Sequence, residues 1–238
     1  MTAQVQSQSA YDVIVVGSGA GAMTSAVFLA DHGLRVLIVE KSDKYGGTSA
    51  ISGGGIWIPN NHYFARMGGN DSPELARRYL QASAGEHVEP ARLEAYLANA
   101  PKMIEALTRN SRVRYAVAAK YPDYYPHLPG SLAGGRTLDP ELFDTSLLGE
   151  ELNNLRKPSP STLLMGRIAW TARHAHKAMA RNFGWRLLIM GLMLRYKLDF
   201  KWRKKSKYDR RAALGSSLVA SLRRSLMDRN VPLWLNTD

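Results

Sequence analysis

Val13-Ile14-Val15-Val16-Gly17-Ser18-Gly19-Ala20-Gly21-Ala22, continued by Met23-Thr24-Ser25-Ala26-Val27-Phe28-Leu29-Ala30, decides how this chain of 238 residues is read. The unbroken β-branched run 13–16 predicts a parallel strand covered on both faces. The apolar positions Ala22, Met23, Ala26, Val27, Leu29 and Ala30 give the next stretch a helical face, and His32-Gly33 ends it. Arg35-Val36-Leu37-Ile38-Val39 is a second strand that stops at Glu40. In this order each residue type has a task. Gly17 permits the tight turn, Gly19 lets backbone approach a diphosphate, and the small Ala22 lets helix and strand pack closely. The amides of Ser18, Ala20 and Gly21 then face the anion at the positive end of the helix. Glu40 at the strand tip is placed to accept both hydroxyls of a ribose, and it repels a 2′-phosphate.

The residues after Glu40 do not start another helix. Lys41-Ser42-Asp43-Lys44-Tyr45-Gly46-Gly47-Thr48-Ser49-Ala50-Ile51-Ser52-Gly53-Gly54-Gly55 is glycine-rich, as expected of backbone held against something flat or anionic. Thr48, Ser49 and Ser52 offer hydroxyls to the same ligand. This segment resembles the FAD-binding segment of the fumarate reductase and 3-ketosteroid dehydrogenase flavoproteins. The likeness is carried by Glu40, Gly46-Gly47-Thr48-Ser49 and Ser52-Gly53-Gly54, it is closest over residues 11–60, and it makes Lys41 and Ser42 candidate cofactor contacts as well. It implies an α/β fold with a Rossmann-like, parallel-sheet FAD-binding domain, plus a helical cap and a basic amphipathic helical insertion. Covalent members carry a histidine immediately before the threonine. Gly47 stands there, so the resemblance implies non-covalent FAD.

Composition sets limits. The chain has no cysteine, which excludes thiolate zinc, iron–sulfur and dithiol chemistry and suits a reducing, cytoplasmic setting. The histidines are scattered, and His174 and His176 point to different sides of a helix, so no metal is expected. Residues 1–10 lack the basic start and apolar core of a signal peptide, and no run is long enough to span a bilayer. The net charge of +12 is uneven: residues 161–238 hold 17 Lys/Arg against 4 Asp/Glu, residues 1–160 hold 15 against 16.

Ile56-Trp57-Ile58-Pro59 is expected beside the flavin. Ser72-Pro73-Glu74 reads as a helix start. A second helix over 90–109, broken or restarted at Pro101, uses Leu93, Leu97, Ile104 and Leu107 as its apolar positions. Residues 113–121 alternate loosely as a strand does. The following loop, Tyr121-Pro122-Asp123-Tyr124-Tyr125-Pro126-His127, is rich in rings and prolines. Its residues leave two readings, a surface loop packed by its own rings or a catalytic element. The resemblance implies the second, because Pro122-Asp123-Tyr124 matches a motif that gives the steroid dehydrogenases an active-site tyrosine. A phenol suits that role by hydrogen-bonding a second tyrosine and easing its ionisation. Gly134-Gly135-Arg136 and Leu148-Gly149 are weaker matches.

Beyond the linker 157–161, residues 163–207 read as helical, with Phe183, Trp185, Leu187, Met190, Leu194, Leu198 and Phe200 among many lysines and arginines. Over 183–211 this fits a helix lying on an anionic membrane surface at the inner face, and equally a helix packed on the enzyme with a basic rim or a dimer contact. Nucleic acid is not expected, since the cluster matches no recognised module. Residues 212–228 form a helix with Leu214, Leu218, Val219, Leu222 and Leu226 on one face, and 231–236 a strand that returns to the first domain. The expected organisation is therefore 1–60, first part of the FAD-binding domain; 61–155, cap helices and aromatic loop; 156–211, basic insertion; and 212–238, the return. The resemblance implies an N-terminal portion of a flavoenzyme, inactive alone, whose intact form removes vicinal hydrogens from a hydrophobic 3-ketosteroid. A fumarate- or urocanate-type reductase and an inactive flavin- or lipid-binding module are the alternatives.

Overall fold

The computed structural model describes residues 10–238, so the polar residues 1–9 and the signal-peptide reading made on them lie outside the described residues. β1 (Val13–Val16), α1 (Ala20–Asp31) and β2 (Val36–Val39) open the fold. They are followed by β3 (Ile56–Trp57), α2 (His62–Arg66), α3 (Pro73–Ala84), α4 (Pro90–Asn110), β4 (Tyr115–Val117), β5 (Thr137–Pro140) and β6 (Phe143–Asp144). α5 (Ala172–Met179), α6 (Trp185–Leu198), α7 (Phe200–Arg203), β7 (Arg211–Ala212), α8 (Leu214–Met227) and β8 (Leu233–Trp234) complete it.

β1, β2 and β8 make a parallel sheet in the order β1-β2-β8, with Val13 beside Val36 and Ile38 beside Leu233. α1 lies against this sheet through Met23, Ala26 and Val27, all fully buried. The expectation that β1 is covered on both faces is corrected: Ile14 is 59% exposed and Val16 83%. A β-branched run shows that two faces can be covered, but β1 is an edge strand here and no second layer lies over it among the described residues. β3, β5 and β4 form a separate antiparallel sheet, and β6 pairs with β7.

The second helix does not break at Pro101. α4 runs unbroken through it, and burial of Leu97, Ala100, Ile104 and Leu107 along one side offsets the lost backbone bond. Ser72 caps α3 by accepting from the Leu75 amide, as its sequence predicts. The helical reading of 163–207 holds only in part. Leu164 and Ile168 form an antiparallel bridge ahead of α5, and Gly184 (φ +76°) separates α5 from α6. Within this chain Leu192 is the buried residue of α6 among the described residues, while Phe183, Leu187, Met190, Leu194, Leu198 and Phe200 are all more than half exposed.

α8 is the hub. Residues 215–223 are all buried, so the one apolar face read from its leucines is completed by a side of small residues. The Ser216 hydroxyl donates to the Ala50 carbonyl (2.8 Å), and those of Ser221 and Ser225 donate to carbonyls within the helix. Its first turn presses on the glycine loop: a Cβ on Gly215 would lie 1.9 Å from the Ser49 carbonyl oxygen. A Cβ on Gly54 (φ +70°) would lie 2.6 Å from the Gly215 nitrogen. Gly215→Ala is therefore expected to destabilise the protein by about 2 kcal/mol or more, read by denaturant or thermal unfolding; unchanged stability contradicts this packing.

Candidate functional site

The turn after β1 and the loop after β2 meet above the start of α1. Gly17 (φ +90°) swings the chain from strand to helix, and Gly19 is the N-cap. No acidic side chain lies in the first turn of α1 and none caps it, so its positive end faces outward. The Ala20 amide donates to Ser49 Oγ (3.0 Å), which ties the two segments together and leaves the Ser49 hydroxyl proton for another acceptor. Gly47 (φ +51°) faces Gly19, and a Cβ on it would stand 4.0 Å from the Gly19 Cα.

The glycines divide into two groups. Gly46 and Gly54 are required by the protein itself, because a Cβ on Gly46 would meet Ala50 at 2.8 Å and Val219 at 2.9 Å, and Gly54 meets Gly215. For these two the absent side chain already has a reason in the protein's own packing. Around Gly17, Gly21 and Gly53, in contrast, an added Cβ would meet nothing within 4 Å. Of the amides expected to face an anion, those of Ser18 and Ala20 are bonded to Glu40 and Ser49, so it is the open side of Gly17 and Gly21, at the helix N-terminus, that leaves room for a dinucleotide diphosphate. Thr48 is exposed beside it, and Lys41 is exposed at its far side. The Ser52 hydroxyl is occupied within its own turn, donating to the Ser49 carbonyl (2.8 Å) and accepting from the Gly54 amide (3.0 Å). Ala22 is half-buried on α1.

Glu40 holds the cradle together. One carboxylate oxygen accepts from the Ser18 amide (3.0 Å) and from the Ser18 hydroxyl, and the other accepts from the Ser42 amide (3.0 Å). Ser18 Oγ accepts in turn from the Gly46 amide (2.9 Å), so one buried pair joins both loops. A carboxylate offers about four acceptor positions, and three are taken, so Glu40 has room for one further donor rather than two ribose hydroxyls. Burial works to raise the Glu40 carboxyl, but the Ser18 hydroxyl and the Ser42 and Ser18 amides outweigh it, aided by the Arg156 charge, and the net shift is downward. Arg156, which the sequence marked only as the start of the basic insertion, donates to Ser42 Oγ (3.1 Å).

Tyr124 is 79% exposed, its ring edge-on to Tyr125 at 5.0 Å. Its neighbour Asp123 is buried in an ion cluster with Arg136 and Asp71, both at most 3% exposed in their side chains. Trp57, two residues beyond Gly55, donates its indole N–H to Asp123 (2.7 Å) and links this loop to the end of the glycine segment. Tyr79 and Tyr96 stack on Trp57. Arg136 stood in the sequence only as part of a weak turn match, and ion pairs between distant segments have no local signature.

Two outcomes test the cradle. Gly53→Ala leaves stability within about 1 kcal/mol, since it meets open space, yet weakens flavin binding measured by fluorescence titration; unchanged affinity contradicts occupation of that space. Glu40 stabilises the cradle above its ordinary value of 4.5 and ceases to do so as pH falls through its lower folded value. Unfolding followed against pH shows this acid loss, and Glu40→Gln flattens it while costing about 1–3 kcal/mol at neutral pH.

The FAD binding domain family matches residues 12–237. The chain is 42% identical over 228 residues to the 3-oxosteroid 1-dehydrogenase of Comamonas testosteroni, and 35% identical over 232 residues to that of Mycolicibacterium smegmatis. Each match covers 95% of this chain, and respectively 40% and 39% of the relative. A solved structure of 3-ketosteroid delta1-dehydrogenase from Sterolibacterium denitrificans, in complex with 1,4-androstadiene-3,17-dione, superposes with a TM-score of 0.91 at 52% identity, over 95% of this chain and 40% of that one. The chain thus spans about two fifths of the length of the relatives it matches. With nearly its whole described length inside that match and a cradle that fits a dinucleotide, the chain belongs to the FAD binding domain family.

Proposed function

We propose that the chain supplies a Rossmann-like FAD site and part of the substrate wall of a 3-ketosteroid dehydrogenase. The observation that carries this reading is the open cradle of Gly17, Gly21, Gly47 and Gly53 in a chain that superposes on a steroid-bound dehydrogenase over 95% of its length. The organisation is that of two FAD-domain segments, 1–60 and 212–238, around a cap at 61–155 and an amphipathic insertion at 156–211. The Gly19 and Gly21 amides and the Ser49 hydroxyl hold the diphosphate, since the Ser18 and Ala20 amides are taken by Glu40 and Ser49; Glu40 takes one ribose hydroxyl, and Gly47, in place of a linking histidine, leaves the flavin non-covalent. When bound, the flavin supplies a two-electron acceptor for the hydrogen leaving one ring carbon. The adjacent carbon, made acidic by the ring carbonyl, gives its proton to a base outside these 238 residues. Tyr124 hydrogen-bonds that base and stabilises its ionised form.

The exposed stripe Phe183, Leu187, Met190, Leu194 and Leu198 supports a second element of the reading, a peripheral contact with an anionic membrane. Exposed Arg186, Lys197, Lys201, Lys204 and Lys205 flank it. No helix among the described residues is long and apolar enough to cross a bilayer, so the contact is with the surface. A substrate that partitions into lipid would be met there.

In the full-length enzyme, 3-ketosteroid is expected to reduce a dye acceptor, and Tyr124→Phe to lower kcat roughly 100-fold with FAD content unchanged. Reduction of fumarate without steroid oxidation would favour a carboxylate reductase instead, and neither activity with FAD bound would favour an inactive flavin module. Flotation with phosphatidylglycerol vesicles, lost in Leu187→Glu/Leu194→Glu, tests the membrane contact; failure of the unaltered protein to float removes it.

A further inference from the structure

The Tyr124 ring is 79% exposed and meets the Tyr125 ring edge-on, so its position rests chiefly on the backbone beneath both rings. That backbone is fixed on both sides. Before it, Asp123 is 3% exposed: Oδ1 accepts from Trp57 Nε1 (2.7 Å), and Oδ2 from the Leu132 amide (2.9 Å) and Arg136 Nη1 (2.7 Å). After it, the Tyr125 amide donates to the Tyr79 hydroxyl (3.0 Å). Arg136 Nη1 also donates to the Gly130 carbonyl (2.9 Å), so one nitrogen spans the loop from 123 to 130. The other edge of the guanidinium is forked on Asp71 (3.0 and 2.7 Å), which is held in turn by the Asn60 and Ser72 amides. The guanidinium carbon lies 5.4 Å from the Trp57 ring centroid and 5.8 Å from that of Tyr79.

Anchoring a loop needs no buried charge, because apolar groups of similar volume hold one as well or better. Two carboxylates sharing one planar guanidinium, with every carboxylate oxygen occupied, constrain direction as well as distance. We propose that Arg136, acting through Asp123 and together with the Tyr79 hydroxyl, is a positioning residue that sets the place and direction of the Tyr124 phenol for the reaction. This rests on the reading of Tyr124 given above.

The test is a double-mutant cycle in the full-length enzyme, reading kcat, KM and the flavin absorbance spectrum. Asp123→Asn turns one acceptor into a donor, which must oppose either the Trp57 indole N–H or the Leu132 and Arg136 N–H groups. It is expected to lower kcat roughly 10- to 100-fold with the flavin spectrum unchanged. In the Tyr124→Phe background the same change should cost less than about twofold, since no phenol remains to misplace. An equal loss in both backgrounds, or none in either, overturns the proposal while leaving the role of Tyr124 standing. If Tyr124→Phe alone leaves kcat unchanged, the role of the tyrosine falls first and the anchor falls with it. Should Asp123→Asn not fold, the same cycle is read with Arg136→Lys, which keeps the charge but gives up the fork.

Discussion

The buried contact between Glu40 and Ser18 is the constraint on which the site depends. It joins the turn after the first strand to the loop after the second, and through Ser18 Oγ it reaches the Gly46 amide. Without it two glycine-rich segments, each short of side chains to pack, keep the Ala20–Ser49 bond but lose the one buried pair that joins them. With it the first turn of α1, which carries no acidic side chain of its own, keeps Ser49 as a hydroxyl at its edge. Glu40 is thus a strut between the two loops, whatever it does for a sugar under the proposed reading.

The opening strand, turn, helix and acid were legible because each leaves a local trace: a β-branched run, glycines at fixed offsets, a carboxylate at the strand tip. The helix start at Ser72 was legible for the same reason. Readings that depended on a covering partner were not. Val16 looks like a core residue by composition and is 83% exposed, and the stripe along α6 that could have been core faces outward. Gly46 and Gly54 illustrate a third kind of limit. Both are glycine because α8, more than 150 residues later in the chain, passes against them, and a glycine reserved for protein looks the same in sequence as one reserved for a ligand.

The aromatic loop divides in the same way. Pro122-Asp123-Tyr124 was found through a family likeness, whereas the residues that hold it, Asp71, Arg136, Trp57 and Tyr79, come from four distant segments and converge only in three dimensions. The chain places an exposed phenol on a heavily cross-braced base, and the brace shares Trp57 with the strand that follows the cradle. On the proposed reading, the glycine cradle and the aromatic loop are thus joined by a few residues of backbone, an arrangement suited to holding two reactants in one geometry.

The most direct measurement is a structure of the protein determined with FAD. The account predicts diphosphate oxygens within about 3 Å of the Gly19 and Gly21 amides, a ribose hydroxyl on Glu40, and the isoalloxazine beyond Gly53. A dinucleotide bound elsewhere, or a cradle closed by its own side chains in the loaded protein, would contradict it.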